Sequence, residues 1–130
     1  MRRLDIGGVT VGNDAPLVLI AGPCQLEGLG HALGIAERLQ AACAAAGVGF
    51  IFKASFDKAN RTARDAPRGP GLDDGLEMLA GVKARLGVPV LTDIHLPAQA
   101  APVADVADVL QIPAFLCRQS DLLDAAGRTG

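Results

Sequence analysis

Residues 53–62 read KASFDKANRT and follow directly on the apolar run GVGFIF. Lys53 opens the stretch, Lys58 comes five residues on, and Arg61, Arg64 and Arg68 continue it. Lysine offers a compact point charge, and arginine offers a planar fork that matches phosphate oxygens two at a time. Gly69 and Gly71 flank Pro70, which permits close backbone approach at the start of the next helix. A helix N-terminus there favours an anion. The plain alternative is a solvated basic loop. On a chain of net charge -2, a long basic loop leaving a buried strand is read here as a site for a phosphorylated anion.

Three other places carry chemistry. Cys24 follows Gly22-Pro23, with Glu27 three residues on. A thiolate there suits a borderline-soft ion such as Zn or Fe, or is simply a small buried thiol. Asp93 and His95 stand in the stretch TDIH. Strand alternation puts both on one face, opposite Thr92 and Ile94. Asp93 could hold a substrate hydroxyl and His95 could act as acid, base or ligand, with strand-end capping as the equal alternative. Arg118 and Gln119 lie beside Cys117, where a surface arginine is the default. Cys43 falls on the apolar face of a helix and reads as core, and His31 as an exposed residue at a helix start. No G-x-x-x-x-G-K-S/T loop, no G-x-G-x-x-G and no Ser-His-Asp arrangement is found, so a nucleotide cofactor is not supported.

Those residues need a scaffold. The 130 residues are 50% hydrophobic but only 3% aromatic, without Trp or Tyr, so the core must be largely aliphatic. The sequence pI is about 5.5, and no global basic field argues for nucleic acid. No apolar run approaches the ~20 residues of a membrane span, and MRRLDIGGVTVGND lacks the apolar centre of a signal peptide. The expectation is a cytoplasmic protein. Three cysteines in that setting are expected to remain unpaired.

The apolar pattern predicts a hairpin over 4–13, strands over 17–22, 48–53, 88–93 and 106–112, and helices over 30–46, 73–86, 97–105 and 119–126. Pro102 is expected to interrupt or restart the third helix. Strand and helix alternate four times, the signature of a parallel sheet with helical crossovers. The strands are nearly continuous in apolar character, as when both faces are buried. Four such units fit a small doubly wound sheet, or half of a (β/α)8 barrel of typically ~250 residues. Polar residues gather after each strand, in GPCQLE, KASFDKANR, TDIH and QIPAFLCRQ. Both folds place the site at those carboxyl ends.

The stretches AGPCQLEG, FKASFDKANR, RGPGLDDGL, VLTDIH, PVADVADVLQIPAFLCRQSDLL and AGRTG, in that order, resemble the Kdo 8-phosphate synthase family (3-deoxy-D-manno-octulosonate 8-phosphate synthase). The likeness runs from about Leu17 onward. It implies the (β/α)8 barrel, of which residues 17–130 would be the first four units and 1–13 an N-terminal hairpin. It implies condensation of phosphoenolpyruvate with D-arabinose 5-phosphate and water, giving Kdo 8-phosphate and phosphate for lipopolysaccharide synthesis. Lys53 and Lys58 would face phosphoenolpyruvate. Asn60, Arg61 and Thr62 would bind the sugar phosphate, with Ser55 and Asp57 beside them. Gln111, Pro113 and Ala114 would wall the phosphoenolpyruvate pocket. Arg118 would reach the sugar phosphate of a neighbouring subunit, and Asp93 would sit near the sugar and the metal.

The family has metal-dependent and metal-independent classes, with Cys after Gly-Pro in the first. Cys24 therefore implies the metal class, with Zn, Fe or Mn. Two departures stand out. Thr62 replaces the usual Ser, and ARDAP at 63–67 replaces a stretch with Ser and His. The family's chain is about twice as long, typically tetrameric, and carries its other metal ligands in the second half. Taken alone, this chain is expected to hold an incomplete metal site, to be inactive and to associate through unpaired strand edges. The alternatives are a related 3-deoxy-heptulosonate 7-phosphate synthase using erythrose 4-phosphate, and a catalytically inert fragment that binds a phosphorylated ligand.

Overall fold

The computed structural model describes residues 2–59 and 61–130. Strands β1 (Leu4–Ile6) and β2 (Val9–Val11) form the expected antiparallel hairpin, with Leu4 opposite Val11. The Gly8 amide closes its turn by donating to the Asp5 carboxylate at 3.1 Å. Four strands then alternate with helices. β3 (Val18–Ala21) leads to α1 (Leu29–Ala46), β4 (Gly49–Lys53) to α2 (Leu72–Leu86), β5 (Val90–Asp93) to α3 (Ala100–Ala104), and β6 (Val109–Gln111) to α4 (Ser120–Gly127). Short 3-10 turns at Pro97–Gln99 and Ala114–Leu116 precede α3 and α4.

The four strands are parallel and lie in chain order, β3-β4-β5-β6. Within this sheet the order never reverses, so it contains no switch point of the doubly wound kind. All four helices feed one core. Ala32, Leu33, Ala36 and Cys43 of α1, Leu79 and Val82 of α2, Val103 of α3 and Leu122 of α4 join Phe50, Phe52, Val90 and Ile94 from the sheet. This is the period-two rule at work. Phe50 and Phe52 turn toward the helices, while Ile51 belongs to the opposite face. The expected helical faces hold, with Leu39, Leu76 and Leu86 packed at the margin of the core.

The last strand is shorter than the apolar run 106–112 suggests. Asp108 breaks it: its carboxylate accepts the Val90 amide at 2.9 Å and the Lys83 ammonium at 2.9 Å. The residues before it therefore form a turn, not a strand. The helix expected over 97–105 is split into the 3-10 turn Pro97–Gln99 and α3, and Pro102 sits at the restart. It lies in the first turn, where an amide hydrogen has no intrahelical acceptor. The three cysteines are unpaired, with Cys43 buried and Cys24 and Cys117 exposed. No described helix is long and apolar enough to cross a membrane. β3 is an outer strand of the sheet, and Leu17, Leu19 and Ile20 along it are exposed.

Phe56, 1% exposed, ties the long loop after β4 to α2. Its side chain lies so close to Gly75 that a Cβ there would stand 2.3 Å from the Phe56 Cβ. Gly75→Ala is therefore expected to lower stability by about 1–3 kcal/mol through overpacking. Gly34→Ala, on α1 with open space around it, is expected to be neutral or to stabilise by up to about 1 kcal/mol. Urea melts of the two variants check this; equal midpoints would mean that Phe56 does not lock onto α2.

Candidate active site

The polar ends of β3 to β6 converge on one cavity of about 340 Å³. Lys53 is the last residue of β4, Asp93 of β5 and Gln111 of β6, and Asp93 pairs with Gln111 in register. Cys24 arrives from the loop after β3, Lys58 from the loop after β4, and Pro113 and Ala114 from the turn after β6. Lys53 faces the cavity because Phe52 faces the core. The β3 end must come very close to it: a Cβ on Gly22 would stand 1.8 Å from the Lys53 carbonyl oxygen. Only glycine fits there.

The electrostatics favour an anion. Among the described residues neither Lys53 nor Lys58 is ion-paired with a carboxylate. The Lys58 ammonium instead donates to the hydroxyl of buried Ser55 at 2.7 Å, which anchors it without neutralising it.

Opposite the lysines lies a buried pair. His95 Nε2 is 3.1 Å from Asp93 Oδ2, and each side chain is 9% exposed. Phe56 packs edge-on against the His95 ring, with centroids 6.0 Å apart. The Gln99 carboxamide oxygen accepts the His95 amide at 2.8 Å and holds the turn that carries the ring. Asp93 Oδ1 and His95 Nδ1 find no protein partner among the described residues. With Nε2–H given to the aspartate, neutral His95 presents Nδ1 as an acceptor. The pair can thus take protons or hydrogen bonds from a hydroxyl or a water.

The loop after β4 is drawn in at its base. Arg68 donates Nε and Nη2 to the two Asp57 oxygens at 2.8 and 2.6 Å. That fork holds the Asp57 carboxyl below the usual carboxylate range. Arg61 turns back to donate to the Ala66 carbonyl at 3.1 Å.

Of the residues picked out in the sequence, Cys24, Lys53, Lys58, Asp93, His95, Gln111, Pro113 and Ala114 line one cavity, joined by Ala59 and Phe115. Ser55, Asp57 and Arg61 lie behind its wall or in the loop beside it. Thr62 and Arg118 are exposed and outside its lining. Asn60 lies outside the described residues. Gln25, which ties the loop at its base, carries no sequence signal beyond residue type, and Arg68, read from the sequence as part of the anion-binding stretch, is taken up by Asp57 instead.

Among the described residues no group of three or more His, Cys, Asp and Glu side chains is arranged to hold an ion. Cys24 is a single donor at the cavity, where a catalytic ion needs about three protein ligands. These residues do not by themselves fit a metal.

Three curated relatives carry the name 2-dehydro-3-deoxyphosphooctonate aldolase. The protein from Granulibacter bethesdensis is 56% identical over 129 residues, covering 99% of this chain and 46% of the relative. The one from Citrifermentans bemidjiense is 58% identical over 129 residues, covering 99% and 47%. The one from Geotalea uraniireducens is 54% identical over 130 residues, covering 100% and 48%. The chain thus spans about half the length of the curated relatives it matches. The profile described as the DAHP synthetase I family matches residues 3–130, so the chain belongs to that family.

Proposed function

We propose that these residues form the phosphoenolpyruvate half of a Kdo 8-phosphate synthase site. The observation that carries this is the pair of ammonium groups, Lys53 and Lys58, facing one cavity without carboxylate partners and opposite a buried Asp93–His95 pair. The names of the relatives supply the reaction class. In the reaction, carbon 3 of phosphoenolpyruvate bonds to the aldehyde carbon of arabinose 5-phosphate. Water adds at carbon 2, and the carbon–oxygen bond to phosphate breaks to release inorganic phosphate.

Lys53 and Lys58 would neutralise the carboxylate and phosphate of phosphoenolpyruvate, an electrostatic contribution that gains strength in a cavity shielded from water. Asp93 and His95 would hold the hydroxyl or water at the reacting carbons. Gln111, Pro113 and Ala114 would wall the enol. Ser55 and Asp57 would support the sugar side through the loop, where Asn60, Arg61 and Thr62 would meet the five-carbon aldehyde. Exposed Arg118 would reach the sugar phosphate of a neighbouring copy in a homotetramer. Cys24 would give one thiolate toward Zn, Fe or Mn in the metal class.

The unreversed strand order supports residues 17–130 as four consecutive units of a (β/α)8 barrel after the hairpin 1–13. The setting would be cytoplasmic, in lipopolysaccharide precursor synthesis.

Calorimetric titration is expected to show saturable binding of phosphoenolpyruvate. Lys53→Met and Lys58→Met should each weaken it roughly 30-fold or more, since removing one member of a buried charge pair costs about 2–5 kcal/mol. Wild-type affinity in both variants would sink the assignment.

Turnover is read on the protein as its own cell makes it. Phosphate release should require both phosphoenolpyruvate and arabinose 5-phosphate, one phosphate per molecule of each. Erythrose 4-phosphate turned over faster than arabinose 5-phosphate would move the chain to the heptulosonate reaction. Release that ignores the aldehyde would reject both.

A further inference from the structure

The loop that carries Lys58 leaves the fold after Phe56 and returns at Gly71. Its two ends are held together by more bonds than a surface loop needs. The Gly71 amide donates to the Phe56 carbonyl at 3.0 Å, and the Lys58 amide donates to the Arg68 carbonyl at 2.7 Å. The Arg68 fork grips both Asp57 oxygens. From the other side, the Gln25 carboxamide lies between the Pro67 carbonyl and the Gly69 amide. With its nitrogen toward the first and its oxygen toward the second, it spans 3.1 and 3.3 Å. Gln25 also bridges to Ser55, the residue that receives the Lys58 ammonium.

The Asp57 side chain is only 18% exposed, against 55% for Arg68. Asp57 adjoins Lys58 in sequence, in the loop beside the cavity that both lysines line. A bare carboxylate there would repel an anion and compete for the ammonium. Arg68 removes both effects by occupying it with a bidentate grip.

We propose that Asp57 and Arg68 are positioning residues: their ion pair, seconded by Gln25, clasps the ends of the 58–68 loop and leaves the Lys58 ammonium free for the anion. The inference rests on the reading of Lys58 as an anion-binding residue. It makes an asymmetric prediction. Asp57→Asn opens the clasp but leaves no free carboxylate. Arg68→Gln opens it and releases a carboxylate beside Lys58. The double variant opens it and again leaves none.

The test has two arms. Hydrogen exchange at the Lys58 amide, without ligand, should quicken about threefold or more in each single variant, and no further in the double, because one interaction is lost in each. Calorimetry with phosphoenolpyruvate should show a few-fold loss for Asp57→Asn and for the double variant, and roughly tenfold or more for Arg68→Gln, a tenfold step corresponding to about 1.4 kcal/mol. Arg68→Lys, which keeps the charge but not the fork, should fall between wild type and Arg68→Gln, and it serves if Arg68→Gln does not fold.

The second substitution rescuing the first is the signature that loss of local stability alone does not produce. Equal affinity of Arg68→Gln and the double variant would overturn the proposal, as would unchanged exchange at Lys58. Absence of phosphoenolpyruvate binding by the wild type would overturn the functional reading and the positioning role with it. The exchange arm would still say whether the clasp exists.

Discussion

The site depends on one geometric constraint, the two-residue period of a strand at the end where it leaves the sheet. In β4 the aromatic rings of Phe50 and Phe52 are driven toward the helices by burial worth about 1.5–3 kcal/mol each. The next residue has no choice but the opposite face. Lys53 is that residue. The same logic sends Ile94 to the core and Asp93 with His95 to the cavity. A one-residue slip of β4 would turn Lys53 toward the helices and take Phe50 and Phe52 out of the core they share with them. Register is therefore enforced by the hydrophobic core, and the chemistry is carried along by it.

A second consequence concerns the loop after β4. A basic loop cannot aim its charges through sequence alone, because long lysine and arginine side chains are rotationally free. Here Phe56 anchors it against Gly75 of α2 and also packs on the His95 ring. One aromatic side chain thus links the helix, the loop with Lys58 and the Asp93–His95 pair. Ser55, one residue earlier, points the other way and takes the ammonium. The alternation that places Lys53 continues past the formal end of the strand, and the isolated bridge between Gln25 and Ser55 marks how far.

Much of this was readable from residue order. Continuous apolar runs bounded by glycine and polar clusters locate all four parallel strands, and the polar clusters locate the cavity. What was not readable depended on contacts distant in sequence. The choice between a doubly wound sheet and consecutive barrel-like units needed the strand order, which periodicity does not encode. The start of β6 was misplaced because Val106 and Ala107 look like strand residues. Asp108 is drawn aside by Val90 and Lys83, residues far away in the chain. The sequence leaves His95 even between capping and function, and only the fold places its ring beside Asp93. Gln25 and Arg68 are ordinary residues whose partners only the fold supplies. The basic loop was recognised as a whole, yet its members separate into Lys58 at the cavity, Arg61 turned back on its own loop and Arg68 tied to Asp57.

The end of β5 shows how a site differs from a core. Thr92 Oγ1, Asp93 Oδ1 and His95 Nδ1 are buried and lack protein partners among the described residues. Each such atom left unsatisfied costs about 1–3 kcal/mol. Packing alone would favour apolar residues at these positions, as it does at Val90, Leu91 and Ile94 on either side. A hydroxyl-bearing ligand or a water at the cavity can satisfy Asp93 and His95, whose orientation the neighbouring chain already sets through Gln99 and Phe56. The polar atoms therefore lower the stability of β5 in isolation and raise the gain on binding. This is the trade expected where a strand end serves chemistry more than cohesion.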